Sequence, residues 1–152
     1  MRTLSLLLLA AACATSNREG GTIAIRSFAN QAAPPARYSV ANGRIVGSNL
    51  EASVDGDCVR GSVGHQPVQF CKDPANPNHW VGNGGDFTAV TSPDGKHVQV
   101  DGYLMLDPRR QASMTQVIPL GEGPQWQEVA KNPALLALAA TAADLQAAHI
   151  RH

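Results

Sequence analysis

Two tight-turn sequences in the stretch from residue 44 to residue 71 constrain the fold of this chain more than any other feature. Asp55-Gly56 lies between two runs of alternating apolar and polar residues, and Asp-Gly is typical of the two-residue type I′ turn of a β-hairpin. Gly64-His65 comes next, and its leading glycine is typical of a type II′ turn. The stretch is therefore predicted to form three antiparallel strands in a meander.

The first turn also predicts the pairing of its two strands. If the loop is limited to the two turn residues, Ala52 lies opposite Val59 and Glu51 lies opposite Arg60. The second of these pairs joins opposite charges, which is a modest stabilising contact. In this register the apolar residues share one face, as a half-buried antiparallel sheet requires. These residues are Leu50, Ala52, Val54, Val59, Val63, Val68 and Phe70.

The second turn brings two cysteines together. It places Cys58 directly opposite Cys71, at a non-hydrogen-bonded position, where the Cα atoms of antiparallel strands approach most closely. Close Cα spacing suits a disulfide. We therefore predict a Cys58–Cys71 bridge.

Two further turn sequences extend the meander on both sides. Asn42-Gly43 predicts a type I′ hairpin with Val40 opposite Ile45. Ile45 then falls on the face opposite to the other apolar side chains, and a bulge at Gly47-Ser48 would restore the alternation. The sequence SPDG at residues 92–95 predicts a type I turn closed by a G1 bulge.

The C-terminal region has the pattern of a helix. Asn132 is a suitable N-cap and Pro133 a suitable first helical residue, so a helix is predicted from Pro133 to His149. Leu135, Leu138 and Leu145 recur at helical spacing. The segment has little polar surface, and we expect it to pack on an apolar sheet face or in the mouth of a barrel.

Composition sets the size and class of the fold. The chain has 152 residues, 43% of them apolar, which supports one domain with a substantial core. Acidic and basic side chains balance at 12 each, so no charge excess indicates nucleic-acid binding. The 14 glycines and 10 prolines indicate many turns. The predicted fold is all-β, an antiparallel meander of about eight short strands forming a barrel or sandwich, with the C-terminal helix packed on it; this domain spans residues 22–152.

The N-terminus has the pattern of an export signal. Residues 1–12 carry one positive charge followed by an apolar run too short to span a bilayer. Ala10, Ala11 and Ala12 followed by Cys13 resemble the lipobox of bacterial lipoproteins. The resemblance implies cleavage before Cys13, lipidation of its thiol and a polar tether over residues 13–21. Because Ala14 is not aspartate, it also implies an outer-membrane lipoprotein.

The same segment has a second interpretation. Ala12-Cys13-Ala14 is an A-x-A site, and cleavage after it would give a free periplasmic or extracellular protein. Both interpretations place the domain outside the cytoplasm, where a disulfide persists. Lipidation of Cys13 also leaves an even number of cysteines, Cys58 and Cys71, to pair.

The stretch from residue 72 to residue 86 is predicted to be a long irregular loop, because it contains two prolines and three glycines. Loops of this length in compact domains are often functional. His79, Trp80 and Asp86 are its candidate binding residues. The alternative is that Trp80 covers an open end of the sheet and that the glycines only allow the chain to turn.

The sequence contains no recognisable catalytic or metal-binding motif, and it predicts no metal site and no cofactor. Three functions remain open. The first is an envelope binding or structural module, attached to the membrane by its lipid, whose partner is an envelope protein. The second is a carrier of a small apolar ligand, since the strand count and final helix resemble lipocalin-like barrels in outline. The third is an enzyme, which would need a cleft where acids or histidines converge.

Overall fold

The computed structural model describes residues 21–107 and 110–149. The predicted signal of residues 1–12, the lipidation of Cys13 and all of the tether but its last residue lie outside the described residues. The strands are β1 Gly21–Ile25, β2 Ala36–Ala41, β3 Arg44–Gly47, β4 Leu50–Asp55, β5 Cys58–Val63, β6 Gln66–Asp73, β7 Asn76–Gly82, β8 Gly85–Thr91, β9 His97–Asp107, β10 Arg110–Ser113 and β11 Gln116–Pro119. The helices are α1 Pro124–Lys131 and α2 Pro133–His149.

The strands form one antiparallel sheet that curls into a half-barrel. Each strand from β1 to β10 pairs with the next along the chain, and β11 pairs back onto β9. Among the described residues, β1 is thus one edge of the sheet, and β10 and β11 form the other. The predicted β meander with a C-terminal helix is confirmed. There are more strands than the eight expected. The predicted loop over residues 72–86 contributes β7, a turn at Ser48-Asn49 separates β3 from β4, and β10 precedes the predicted last strand.

The second hairpin of the meander has the predicted register. Cys58 lies opposite Cys71 and Val59 lies opposite Phe70. The disulfide between the cysteines is present, with the two Cα atoms 4.0 Å apart. The turn type differs from the prediction, because both Gly64 and His65 have positive φ, 55° and 71°. Positive φ at both central residues defines a type I′ turn rather than II′.

The turn of the first hairpin lies one residue later in the chain than predicted. Its turn residues are Gly56 and Asp57, and Val54 rather than Ala52 lies opposite Val59. Gly56 has φ 61°, which fits the first central position of a type II′ turn. The residue opposite each position is therefore two places away from the predicted one. Because side chains alternate between the two faces with a period of two, the predicted apolar face is preserved. All seven apolar residues of that face are buried except Val54, which is partly buried.

The predicted pairing of Glu51 with Arg60 is wrong as a result of this shift. Glu51 lies opposite Ser62, and its carboxylate is 2.5 Å from the guanidinium of Arg44. Arg60 is 3.5 Å from the carboxylate of Asp55 instead. All four side chains are more than half exposed, so these ion pairs contribute little to stability.

Ile45 is fully buried without the predicted bulge. Gly47 lies opposite Leu50, and the chain reverses at the tight turn Ser48-Asn49. The alternation therefore restarts in a new strand, which returns Ile45 to the same face as Ala52.

Helix α2 lies in the concave side of the curled sheet. Every residue from 134 to 143 is buried, so the helix is enclosed on all sides and not only along the predicted leucine stripe. It contacts strands β1 to β5, β8 and β9. Among the described residues, neither helix is long and apolar enough to span a bilayer.

The two helices meet at Asn132, which directly precedes the first residue of α2 as predicted, but its side chain bonds to α1 and not to α2. Its side-chain amide donates to the carbonyl oxygen of Glu128 at 3.3 Å, closing the end of α1. The start of α2 is closed by main-chain atoms instead, since Leu135 N donates to the carbonyl oxygen of Asn132 at 3.0 Å.

The loop that follows β1 is attached to α2 by one carboxylate oxygen. Asp144 Oδ1 accepts hydrogen bonds from Ser27 Oγ at 2.8 Å, Phe28 N at 2.8 Å and Ala29 N at 3.2 Å. Ser27 Oγ in turn accepts from Asn30 N at 2.9 Å. These bonds end β1 at Ile25, because the chain turns towards the helix instead of continuing as a strand.

Candidate binding sites

The stretch from residue 72 to residue 86, predicted to be a loop, forms the end of β6, all of β7 and the start of β8. Side-chain hydrogen bonds organise its two turns. Asp73 Oδ1 accepts from Ala75 N at 2.9 Å, and Asn83 Oδ1 accepts from Gln69 N at 2.9 Å. The register shifts between Lys72 and Asp73, so Pro77 lies where the ladder is already interrupted, and there its missing N–H is tolerated.

The two central residues of this stretch lie on opposite faces of the sheet. Trp80 is only 4% exposed and belongs to the core. The ammonium group of Lys72 lies 5.4 Å from the centre of its ring, a cation–π contact. His79 lies on the convex face. The two residues therefore do not share one surface.

His79 lies between two aspartates, and we call these three residues the charged cluster. Its Nδ1 atom is 3.1 Å from Asp73 Oδ2, and its Nε2 atom contacts Asp86 Oδ1. The three residues come from β6, β7 and β8, so the cluster ties three strands together. Asp86 was expected near His79, whereas Asp73 joins them only because the stretch folds as two hairpins.

The two carboxylates determine the protonation of the cluster. Hydrogen bonds to Asp86 and Asp73 raise the pKa of His79 above its usual value. The N–H of Ala75 and the His79 ring lower the pKa of Asp73. A neutral imidazole has one N–H, so only the imidazolium donates to both carboxylates at once. With both ring nitrogens engaged, neither is free to act as a general base or to bind a metal.

The part of the chain that the structure describes contains no group of three or more His, Cys, Asp or Glu side chains that could hold a metal ion.

A second candidate site lies where the sheet fails to close. Among the described strands, β1 pairs only with β2 and β11 pairs only with β9. A cavity of about 290 Å³, here called the seam groove, opens beside these two edges. It is lined by the end of β1, the loop that follows it, β11 and Trp126 of α1. Its volume is at the lower end of the range for small-ligand pockets.

The lining of the seam groove is mostly apolar, with a few polar groups. Phe28 is 57% exposed, although it is a large aromatic side chain. Gln116 is only 9% exposed and places a polar side chain in the lining. Arg26 is held in place, since its Nη1 donates to the carbonyl oxygen of Gln31 at 2.8 Å. Mostly apolar walls with a few polar groups are the composition expected of a ligand site.

No pattern in the sequence indicates the seam groove. Its walls come from residues 24–31 and 116–126, which lie far apart in the chain, and no motif joins them. The one local signal is Phe28, an aromatic residue that follows the strand where the chain turns away from the sheet.

Comparison of the chain with protein-family models, with curated protein sequences and with solved structures finds no match.

Proposed function

We propose that this chain is an exported bacterial envelope protein, anchored by a lipid on Cys13, that acts as a binding module through the seam groove. The observation that carries the proposal is the open seam. Within the described residues, the fold encloses its helix on all sides but leaves two strand edges apart, with a mostly apolar groove beside them.

Export is supported by two features from different parts of the chain. The first is the signal and lipobox pattern of the first 13 residues. The second is the Cys58–Cys71 disulfide, a bond that persists in oxidising compartments and is rare in the cytoplasm.

The second candidate function is a carrier of a small apolar ligand. It is favoured by the apolar lining of the groove, which includes Phe28 and Trp126. The ligand would lie at the seam and not in the centre of the sheet, because α2 fills the concave side.

The proposed location is tested by the intact mass of the protein purified from the membrane and soluble fractions of its own cell. We expect a chain that begins at Cys13 and carries acyl groups, and that gains two hydrogen atoms on reduction. A lipid-free chain that begins at Thr15 would contradict the anchor but keep the export. An unprocessed, reduced chain would contradict both.

The proposed binding site is tested with the apolar fluorescent probe 1-anilinonaphthalene-8-sulfonate. We expect the probe to bind the wild type and to bind Phe28→Ala more weakly, because Phe28 lines the groove. Val90→Ala is the matched control, since Val90 is also an exposed apolar side chain, at 41%, but lies on the convex face. Equal binding by all three proteins, or no binding by the wild type, would contradict the groove as the binding site.

A further inference from the structure

We propose that the seam groove binds a short extended peptide, which adds as a strand to the free edge of β1. The inference rests on the proposed function of the groove and names the class of its ligand. It depends on the main-chain N–H and C=O groups that lie along the edges of β1 and β11 and have no partner among the described strands.

The pairing pattern determines which residues of β1 face the open edge. The two-residue turn at Asn42-Gly43 makes Val40 and Ile45 a non-hydrogen-bonded pair, so the main-chain groups of Val40 point to β1. By the same alternation Gly21, Ile23 and Ile25 bond to β2. The N–H and C=O groups of Thr22 and Ala24 therefore point away from β2, towards the open edge.

The edge formed by β11 is less suited to pairing. Leu120 N donates to the carbonyl oxygen of Lys96 at 2.8 Å, and Met114 N donates to that of Gly102 at 2.9 Å. Hydrogen-bonded positions alternate along β11, so the main-chain groups of Gln116 and Ile118 also bond to β9. Those of Val117 and Pro119 face the open edge. Pro119 has no N–H to donate, as is common at strand edges that resist pairing. The edge of β1 contains no proline and is the one that we assign to the peptide.

The side chains near the edge indicate what the peptide should contain. Ile23 and Ile25 of β1 and Ile118 of β11 point to the buried side, whereas Thr22 and Ala24 are exposed. A peptide added to β1 would therefore place alternate apolar side chains inward, beside the Gln116 side chain that lines the groove. The outward-facing side chains of the peptide need not be apolar. Strand addition is an established recognition mode in which main-chain bonds give affinity and alternate pockets give specificity.

The test uses the capped peptide acetyl-Thr-Val-Thr-Val-Thr-amide, with its affinity measured by isothermal titration calorimetry. We expect the wild type to bind it and the Ala24→Pro variant to bind at least about tenfold more weakly, because proline removes the edge N–H and blocks approach of the peptide. The β1–β2 bonds are not affected, and urea unfolding would verify that the variant folds. Val90→Ala, which changes an exposed side chain on the convex face and not the groove, is the control and should bind as the wild type does.

A second peptide tests the backbone contact from the other side. Ala24 points outward, and a peptide residue directly opposite it does so too. The central threonine of the peptide takes this position, so its N–H bonds to β1. Methylation of that nitrogen should abolish binding, and hydrogen exchange at the Ala24 amide should slow only with the unmethylated peptide. Equal binding of both peptides, or unchanged binding by Ala24→Pro, would overturn the proposal.

The remaining outcomes separate this inference from the proposed function. If the fluorescent probe binds in a Phe28-dependent manner but the peptide does not, the groove remains a binding site and strand addition is wrong. If neither binds, both proposals fall. If sedimentation shows a wild-type dimer that Ala24→Pro makes monomeric, the edge pairs with a second copy of the chain, and the peptide proposal is overturned.

Discussion

At the residue scale, the charged cluster shows how one protonation state links three strands. His79 bonds to Asp73 and Asp86 through both ring nitrogens, which requires the imidazolium form. Loss of the proton leaves one of the two carboxylates without a hydrogen bond from His79. The connection between β6, β7 and β8 should therefore weaken when His79 titrates.

This predicts a specific pH dependence of stability. The pKa of His79 is raised in the folded protein, so its contribution is fully present below the unfolded pKa of about 6.5 and is lost as the pH rises through the higher folded pKa. We expect the free energy of unfolding, measured with urea from about pH 5.5 to about pH 9, to fall over that window in the wild type. The decline should be smaller in His79→Gln, which does not titrate.

His65→Asn is the matched control for the pH series. His65 is an exposed turn residue with φ 71°, a conformation that asparagine tolerates. Its replacement should leave the pH dependence of the wild type in place. If His79→Gln and the wild type show the same slope, the cluster does not act as described.

At the scale of elements, the disulfide joins β5 to β6 and closes a short loop. The two cysteines are separated by 13 residues, and a bridge of that span stabilises a fold by about 3 kcal/mol, mainly through the unfolded chain. We expect the double variant Cys58→Ser, Cys71→Ser to lose about that free energy of unfolding, as measured with urea. Reductant should lower the stability of the wild type to the same level and leave the double variant unchanged. A double variant as stable as the oxidised wild type would contradict the prediction.

Helix α2 gives a second prediction at this scale, because it is buried on all sides. Leu136 and Leu138 point in different directions from the helix axis, and both are fully buried. Replacing either with alanine should cost about 2–5 kcal/mol of unfolding free energy. Ala148→Ser is the control, since Ala148 is exposed and the change should cost less than about 0.5 kcal/mol. Tolerance of one of the two leucine changes would indicate an ordinary helix with one face in water.

At the scale of the whole molecule, one core cluster joins residues from both ends of the sheet and from both helices. A core of this kind predicts a single cooperative unfolding transition. The two tryptophans provide a test, because Trp80 lies in the core and Trp126 lies at the seam groove. The single-tryptophan variants Trp126→Phe and Trp80→Phe should each give the same urea midpoint by fluorescence as by circular dichroism. A lower fluorescence midpoint for the variant that keeps Trp126 would indicate that the seam opens separately.

Local turn chemistry explains which parts of the fold could be predicted from the sequence. Cys58 and Cys71 were matched because a two-residue turn leaves no freedom in the pairing of its strands. The preceding turn lies one residue away from its predicted position, since Asp55-Gly56 and Gly56-Asp57 both suit a tight turn. Either turn buries the same face of the sheet, so the apolar pattern does not distinguish them. The prolines of the stretch around His79 predict a loop because proline weighs against a strand, but an irregular register accommodates Pro77.

By itself the sequence determined the antiparallel meander, its buried face, the disulfide and the final helix, because each depends on neighbours within a few residues or on a simple period. Only the tertiary structure decided that the sheet stays open, that α2 is enclosed on all sides and that β1 and β11 leave a groove between them. Those features depend on how far eleven strands curl and on contacts between residues far apart in the chain. Steric packing sets that curl, and local patterns of sequence do not encode it.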